Sequence, residues 1–299
     1  MSAILGIDAA WTPHRPSGVA LIRQIGSGEW ECVAVDHSYE DFLNNAFDTN
    51  AKESFDRVPV SQVLEAAKHL AKTEVELVVA DIPLSSKPIH CPRCADKQVS
   101  KLFGGMGCST HAPSSTRPGK VSEQIRDDFQ QCGFSLATSK RNRMRHSLIE
   151  AYPHPALLSL MNVRYRVPYK VCKTTKYSPN TPREKRLKEA AQKLEEIRTR
   201  LATVIGNVGR FVPERPVSFS SLKSAEDKLD ALICAWVGIR VLEGRAIAVG
   251  DDEAAIWLPA DSVLSDRSSG WSAYLNSGAI ASPEFMSNVE KLPAEERLF

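Results

Sequence analysis

A mixed α/β fold is predicted by three features of the chain. It opens on three short apolar or alternating runs joined by turn-rich links. A helical stretch then leads straight into a fourth, strongly apolar run. The most apolar helical stretch comes last, after a long basic segment. The 299 residues are 42% apolar and 25% charged, which suits a globular chain and excludes disordered, collagen-like and coiled-coil classes. No apolar run approaches the roughly 18 residues of a membrane span. Seven cysteines, an odd count, do not form a disulfide framework, and no basic, apolar leader precedes the first strand. The expected setting is a reducing cytoplasm, with no membrane partner.

The elements follow in order. Ala3 to Asp8 (AILGID), Gly18 to Ile25 (GVALIRQI) and Glu29 to His37 (EWECVAVDH) predict an antiparallel meander. Pro59 to Ala71 sets Val60, Val63, Leu64, Ala67, Leu70 and Ala71 at helical spacing, with Ser61 near the start. Glu74 to Ile82 (EVELVVADI) is an apolar strand, which the crossover places parallel to the first. Ser85 to Lys120 is rich in Ser, Pro, Gly and Cys and reads as a long functional loop. Val121 to Gly133 reads as a helix, Arg145 to Tyr152 as a fifth strand and His154 to Val163 as a short helix. A long helix runs from Thr181-Pro182 to about Ile205. Ser224 to Glu243 is the last core helix, with a Ser224/Asp227 capping box and Gly244 as its stop. Ala254 to Leu258 is a late strand. Three strands, helix, strand, helix, strand, helix is the order of a ribonuclease H-like mixed sheet flanked by helices. On this reading residues 1–260 form one domain, with 85–120 a loop and 164–219 a basic helical insertion before the last core helix; 261–299 is a polar tail.

Charge is unevenly spread. The whole chain is +2, but Lys140 to Arg200 holds 16 Lys/Arg against 5 Asp/Glu, leaving the remainder at −9. Such a segment suits a nucleic-acid or phosphate partner, with a solvated helical face as the plainer alternative. The candidate backbone-binding residues are Lys140, Arg141, Arg143, Arg145, Arg164, Arg166, Lys170, Lys173 and Lys176. Tyr165, Tyr169 and Tyr177 are interleaved with them as candidate stacking platforms.

The carboxylates sharpen this reading. Asp8 and Asp81 end strands expected to be parallel neighbours, which lie about 4.8 Å apart. Asp227 and Asp230 share a helix face, and Leu229, Leu232, Ile233 and Trp236 mark the same helix as buried. A buried carboxylate needs a metal or a basic partner. Asp227 has the alternative of a first-turn carboxylate on the helix dipole. Glu150 either joins the cluster or pairs with an arginine such as Arg93, Arg143 or Arg145. The candidate catalytic carboxylates are therefore Asp8, Asp81, Asp227, Asp230 and Glu150. The first four are candidate ligands for Mg²⁺ or Mn²⁺, which suit hard oxygen donors and activate water for phosphodiester hydrolysis.

GIDAAWT with Gly18, VVADIPLS, the Arg93/Asp96 loop, IEAYPHPALL and EDKLDALICAW together resemble the DUF429 family of predicted ribonuclease H-like nucleases. The resemblance runs from about Ile4 to Pro259. Asp227 and Asp230 are also similar to the paired aspartates on the last helix of RuvC-type Holliday junction resolvases. The likeness implies metal-ligand roles for Asp8, Asp81, Asp227 and Asp230, and a nuclease activity.

Within the 85–120 loop, Cys91 and Cys94 form a CxxC and Cys108 and His111 a CxxH, 13 residues apart. That is a zinc-knuckle spacing, with His90 as a substitute ligand; reduced cysteines on a mobile lid are the alternative. His146 and His154 flank Glu150 as proton carriers or as structural donors. The expected function is a metal-dependent nuclease acting on DNA or RNA. A non-catalytic binding module on the same fold is the alternative. An ATP-dependent phosphotransferase lacks the glycine-rich phosphate loops it needs.

Overall fold

The computed structural model describes residues 2–12, 15–48, 58–138, 144–216 and 218–264. Its sheet comprises β1 (Ala3–Asp8), β2 (Gly18–Gly26), β3 (Glu29–Asp36), β4 (Val75–Ala80), β5 (Ser135–Leu136), β6 (Ser147–Ala151), β7 (Ala246–Gly250) and β8 (Ala255–Pro259). The strand order is β3-β2-β1-β4-β6-β8-β7, with the short β5 also on β6. β1, β2 and β3 form an antiparallel meander, β4 lies parallel to β1, and β6 parallel to β4. β8 continues the parallel run and β7 returns antiparallel. The architecture is a mixed α/β sheet flanked by helices.

Period-2 alternation decides which layer each strand residue meets. In β1, Ala3, Leu5 and Ile7 join the layer containing α1 (Tyr39–Phe47), α2 (Val60–Ala71) and α4 (Lys120–Gln131). Ile4 and Gly6 face the opposite layer, built from α5 (Pro153–Met161), α7 (Arg183–Leu201) and α8 (Phe219–Leu242). Asp8 shares their parity. A third apolar cluster packs α3 (Cys94–Phe103) on β7 and β8. The short helices α6 (Thr174–Tyr177) and α9 (Asp261–Leu264) complete the described α-helices, and 3-10 turns occupy Gly104–Met106 and Val171–Lys173. None of the described helices is long and apolar enough to cross a membrane.

Several expectations are corrected. The 85–120 segment contains α3, whose Ala95, Val99, Leu102 and Phe103 are buried at helical spacing. The Arg93 amide donates to the Asp96 carboxylate at 2.8 Å, which stabilises its first turn. Helix α1 starts at Ser38, whose hydroxyl accepts from the Asp41 amide at 3.0 Å. Helix α8 begins at Phe219, where Ser218 accepts from the Ser221 amide at 3.1 Å. Ser224 and Asp227 are thus interior to the helix, so the first-turn account of Asp227 fails. The long basic helix agrees with the plainer expectation: Leu187, Ala190, Ala191, Leu194, Ile197 and Leu201 of α7 bury one face in the α8 layer, and Arg183, Lys185, Lys188 and Arg200 are exposed.

The approach of α8 to the sheet is unusually close. A Cβ on Gly6 would lie 2.1 Å from the Ala231 carbonyl oxygen, and one on Gly18 would lie 2.3 Å from that of Asp227. On the helix side, a Cβ on Gly238 would meet Ile4 at 2.7 Å and Val79 at 3.0 Å. Gly6→Ala is expected to lower unfolding free energy by roughly 3 kcal/mol, because backbone on both sides must move. Urea unfolding followed by circular dichroism measures that loss.

Candidate active site

Parity and the close α8 approach bring the four predicted aspartates together. Asp8 ends β1, and the Asp81 amide donates to the Ile7 carbonyl at 2.8 Å, fixing Asp81 beside it just past β4. The N-terminal half of α8 crosses the same end of the sheet, with the Asp227 backbone against Gly18, the cross-strand partner of Asp8. Asp227 side-chain hydrogen bonding with Asp8 closes the pair. Asp230, one turn further along α8, is fully buried.

Two lysines enter this cluster. Lys170 Nζ lies 2.5 Å from Asp230 Oδ2 and 3.4 Å from Glu226 Oε1. Lys223 Nζ lies 2.9 Å from Glu226 Oε1 and also pairs with Asp227. The Tyr169 hydroxyl donates to Asp230 Oδ1 at 2.6 Å, and the Val171 amide donates to Glu226 Oε2 at 2.6 Å. Sequence reasoning missed Lys223 and Glu226, although Lys223, Glu226, Asp227 and Asp230 share one helical stripe by their three- and four-residue spacing. It took Lys170 for a backbone binder and Tyr169 for a base platform; both side chains are turned into the cluster.

The charge balance is unequal: among the described residues, Asp8, Asp81, Glu226, Asp227 and Asp230 share two lysines, Lys170 and Lys223. Burial is the main cause that pushes Asp8 up to about 7, opposed by Lys170 and Lys223 and reinforced by Asp227. Burial likewise raises Asp81 well above the ordinary carboxylate range, with Asp8 adding to it, and lifts Asp230 to about 6 against the pull of Lys170. Burial disfavours ionised Glu226 too, but Lys170, Lys223 and the Val171 amide hold it below its ordinary value. Protons on Asp8 and Asp81 thus offset charge that the lysines leave uncompensated.

Among the described residues, no three His, Cys, Asp or Glu side chains are grouped as a metal ion requires; in the aspartate cluster the two ammonium groups do the bridging. The donor set nonetheless fits a hard divalent cation, because all its members are carboxylates and they exceed their basic partners.

Glu150 is placed elsewhere. Its register opposite Ala80 and Ile256 turns it to the face away from α8. There it meets Arg93, with Nη1 at 2.5 Å and Nη2 at 2.8 Å, and accepts from the Leu84 amide at 2.7 Å. Arg93 also holds Asp96 and the Leu84 carbonyl, so the pair clamps the segment after β4 to α3. Of the two partners left open for Glu150, the arginine is the one it meets.

Cys91, Cys94, Cys108 and His111 are not gathered into a metal-holding group. Cys91 is exposed, Cys94 starts α3 and accepts from Gln98, and Cys108 is buried among the apolar residues of the α3 cluster. His111 stands edge-on to Trp11. Packing of α3 holds this segment where a zinc ion was expected to.

The basic residues divide. Lys140, Arg141 and Arg143 lie outside the described residues. Arg145 precedes β6 and sits near Glu76, at the opposite end of the sheet from the aspartates. Arg164 and Lys176 are exposed on the segment that contains Lys170, while Arg166 and Lys173 are half-buried. Of the three tyrosines, only Tyr165 is strongly exposed, at 65%.

A carboxyl held at about 7 against an ordinary 3.8 destabilises the fold once ionised, and that cost grows as pH rises from about 4 to about 7. Asp8→Asn removes the cost. Metal-free thermal melts should therefore show Asp8→Asn more stable than the parent by about 3–5 °C at pH 8, with the difference fading toward pH 4.

Neither the curated proteins nor the solved structures contain a significant match to this chain. The model of DUF429, described as a protein of unknown function, matches residues 6–255 and spans both strand-end aspartates and the α8 pair. The chain belongs to the DUF429 family.

Proposed function

We propose that this protein is a metal-dependent nuclease on a ribonuclease H-like fold. The carrying observation is the buried excess of carboxylates at the ends of β1 and β4, facing α8. The meander followed by parallel β4 and β6 supports the fold assignment. In this reading Asp8, Asp81, Asp227 and Asp230 hold Mg²⁺ or Mn²⁺. The bound ion supplies Lewis acidity and a water of lowered pKa.

The chain's own groups prepare the site. Tyr169 fixes the Asp230 carboxylate through its hydroxyl, and the Val171 amide fixes Glu226. Lys170 and Lys223 neutralise part of the cluster in the metal-free chain; a bound cation would compete with them for Asp227 and Asp230, and their ammonium groups would be available to an anionic substrate. Arg93 and Glu150 act from behind the sheet, anchoring the segment that carries Asp81.

A second reading, a nucleic-acid-binding module without catalysis, is favoured by the lysine bridges, which satisfy much of the cluster without metal. Labelled single-stranded, duplex, hybrid and branched nucleic acids, incubated with Mg²⁺, Mn²⁺ or EDTA, separate the two. The nuclease reading expects cleavage that EDTA abolishes and that Asp8→Asn and Asp230→Asn each reduce by about a hundredfold or more. Salt-sensitive binding with no cleavage of any substrate would transfer the assignment to the binding module.

A further inference from the structure

The two lysines of the aspartate cluster are held very differently. Lys223 projects from α8 itself, its side chain is 42% exposed, and its partners Glu226 and Asp227 lie three and four residues along the same helix. Pairs of this kind are weak and easily exchanged, because water screens them and a long side chain must be ordered to make them.

Lys170 comes from a different segment, and its side chain is only 18% exposed. Its Nζ lies 2.5 Å from Asp230 Oδ2, 3.4 Å from Glu226 Oε1 and 5.1 Å over the Tyr169 ring. Both of its chain neighbours are tied to the same two carboxylates. The Tyr169 hydroxyl donates to Asp230 Oδ1 and the Val171 amide to Glu226 Oε2, each at 2.6 Å. Val167, Tyr169 and Val171 are themselves buried in the α8 layer. Three consecutive residues thus clamp Asp230 and Glu226, and swinging Lys170 away would leave buried carboxylates without their ammonium.

This sorts the carboxylate oxygens. Both oxygens of Asp230 and both of Glu226 already have donors, from Tyr169, Lys170, Lys223 and Val171. Among the described residues, neither lysine comes within ion-pair distance of Asp8 or Asp81. A cation arriving at the strand ends therefore meets Asp8 and Asp81 free of ammonium, and Asp227 guarded by the displaceable Lys223. A second cation would have to evict Lys170.

We propose that the cluster takes a single divalent cation, for which Lys223 gives way, and that Lys170 stays in place and supplies the second positive charge. Asp8, Asp81 and Asp227 hold that cation, and Asp230 is shared between it and the Lys170 ammonium. The inference rests on the metal-site reading above and narrows it to one metal ion beside a fixed ammonium, in place of a metal pair. Lys170 is a positioning residue, since it acts by holding Asp230 and Glu226.

Equilibrium dialysis of the purified chain against Mn²⁺ up to millimolar concentration, with free ion read by electron paramagnetic resonance, counts bound ions without any turnover. The parent chain should bind one Mn²⁺. Lys223→Met should also bind one, about two- to fivefold more tightly, because a weak competitor is gone. Lys170→Met should bind two, because the oxygens that the ammonium held become open to a second ion. Should Lys170→Met fail to fold, the parent and Lys223→Met decide the matter. Two ions on the parent, one ion on a folded Lys170→Met, or a Lys223→Met affinity no higher than the parent's would overturn the proposal and leave the metal site standing. No Mn²⁺ on the parent would overturn the proposal and the metal-site reading together.

Discussion

The close seating of α8 on β1 and β2 is the constraint on which the rest of this structure depends. Backbone meets backbone at Gly6 and Gly18, and Gly238 gives the sheet side chains matching room. A Cβ at Gly6 or Gly18 would overlap α8 backbone, so helix and sheet could not keep this separation. With the helix seated, the Asp227 backbone lies against Gly18 and Asp230 is fully buried on the same helix. An apolar helix that carries acidic residues into such a place creates an electrostatic problem. The fold answers it with Lys170 from one segment, Lys223 from α8 itself, and Tyr169.

That answer is incomplete, and the incompleteness carries the functional argument. A purely structural network would match each buried carboxylate with a donor, as Arg93 does for Glu150 and Asp96 on the opposite face. There, a single guanidinium meets two carboxylates and two further contacts to Leu84 complete the set. Burial raises Glu150 to about 7 even so, as it does Asp8, and the aspartate cluster differs in its balance: among the described residues, five carboxylates there share two lysines. Asp8 and Asp81 are driven toward their neutral forms. A buried excess of negative charge suits a bound cation.

The sequence made the meander, the parallel fourth strand and the meeting of Asp8, Asp81, Asp227 and Asp230 legible, because period-2 alternation and crossover geometry are local rules. The DUF429 likeness was legible from the same motifs. What escaped depended on tertiary context. Helix α3 was hidden by Gly, Ser and Pro around it, although Ala95, Val99 and Phe103 carry its period. Glu150 lies at a strand end like the aspartates, and only its register with Ala80 reveals that it faces the other way. Lys170 looked like one basic residue among many until the fold turned it inward. The cysteine spacing matched a zinc site, but packing placed Cys108 in an apolar cluster.

The most direct test of this account is a calorimetric Mn²⁺ titration of the purified chain, compared with its Asp8→Asn and Asp230→Asn variants. A carboxylate cluster short of positive charge predicts Mn²⁺ binding to the parent chain, with proton release near pH 7 as Asp8 and Asp81 ionise. Each variant should lose that binding while remaining folded. A parent chain that takes up no Mn²⁺, or variants that bind it as tightly as the parent, would contradict the account and leave Lys170 and Lys223 as the cluster's permanent partners.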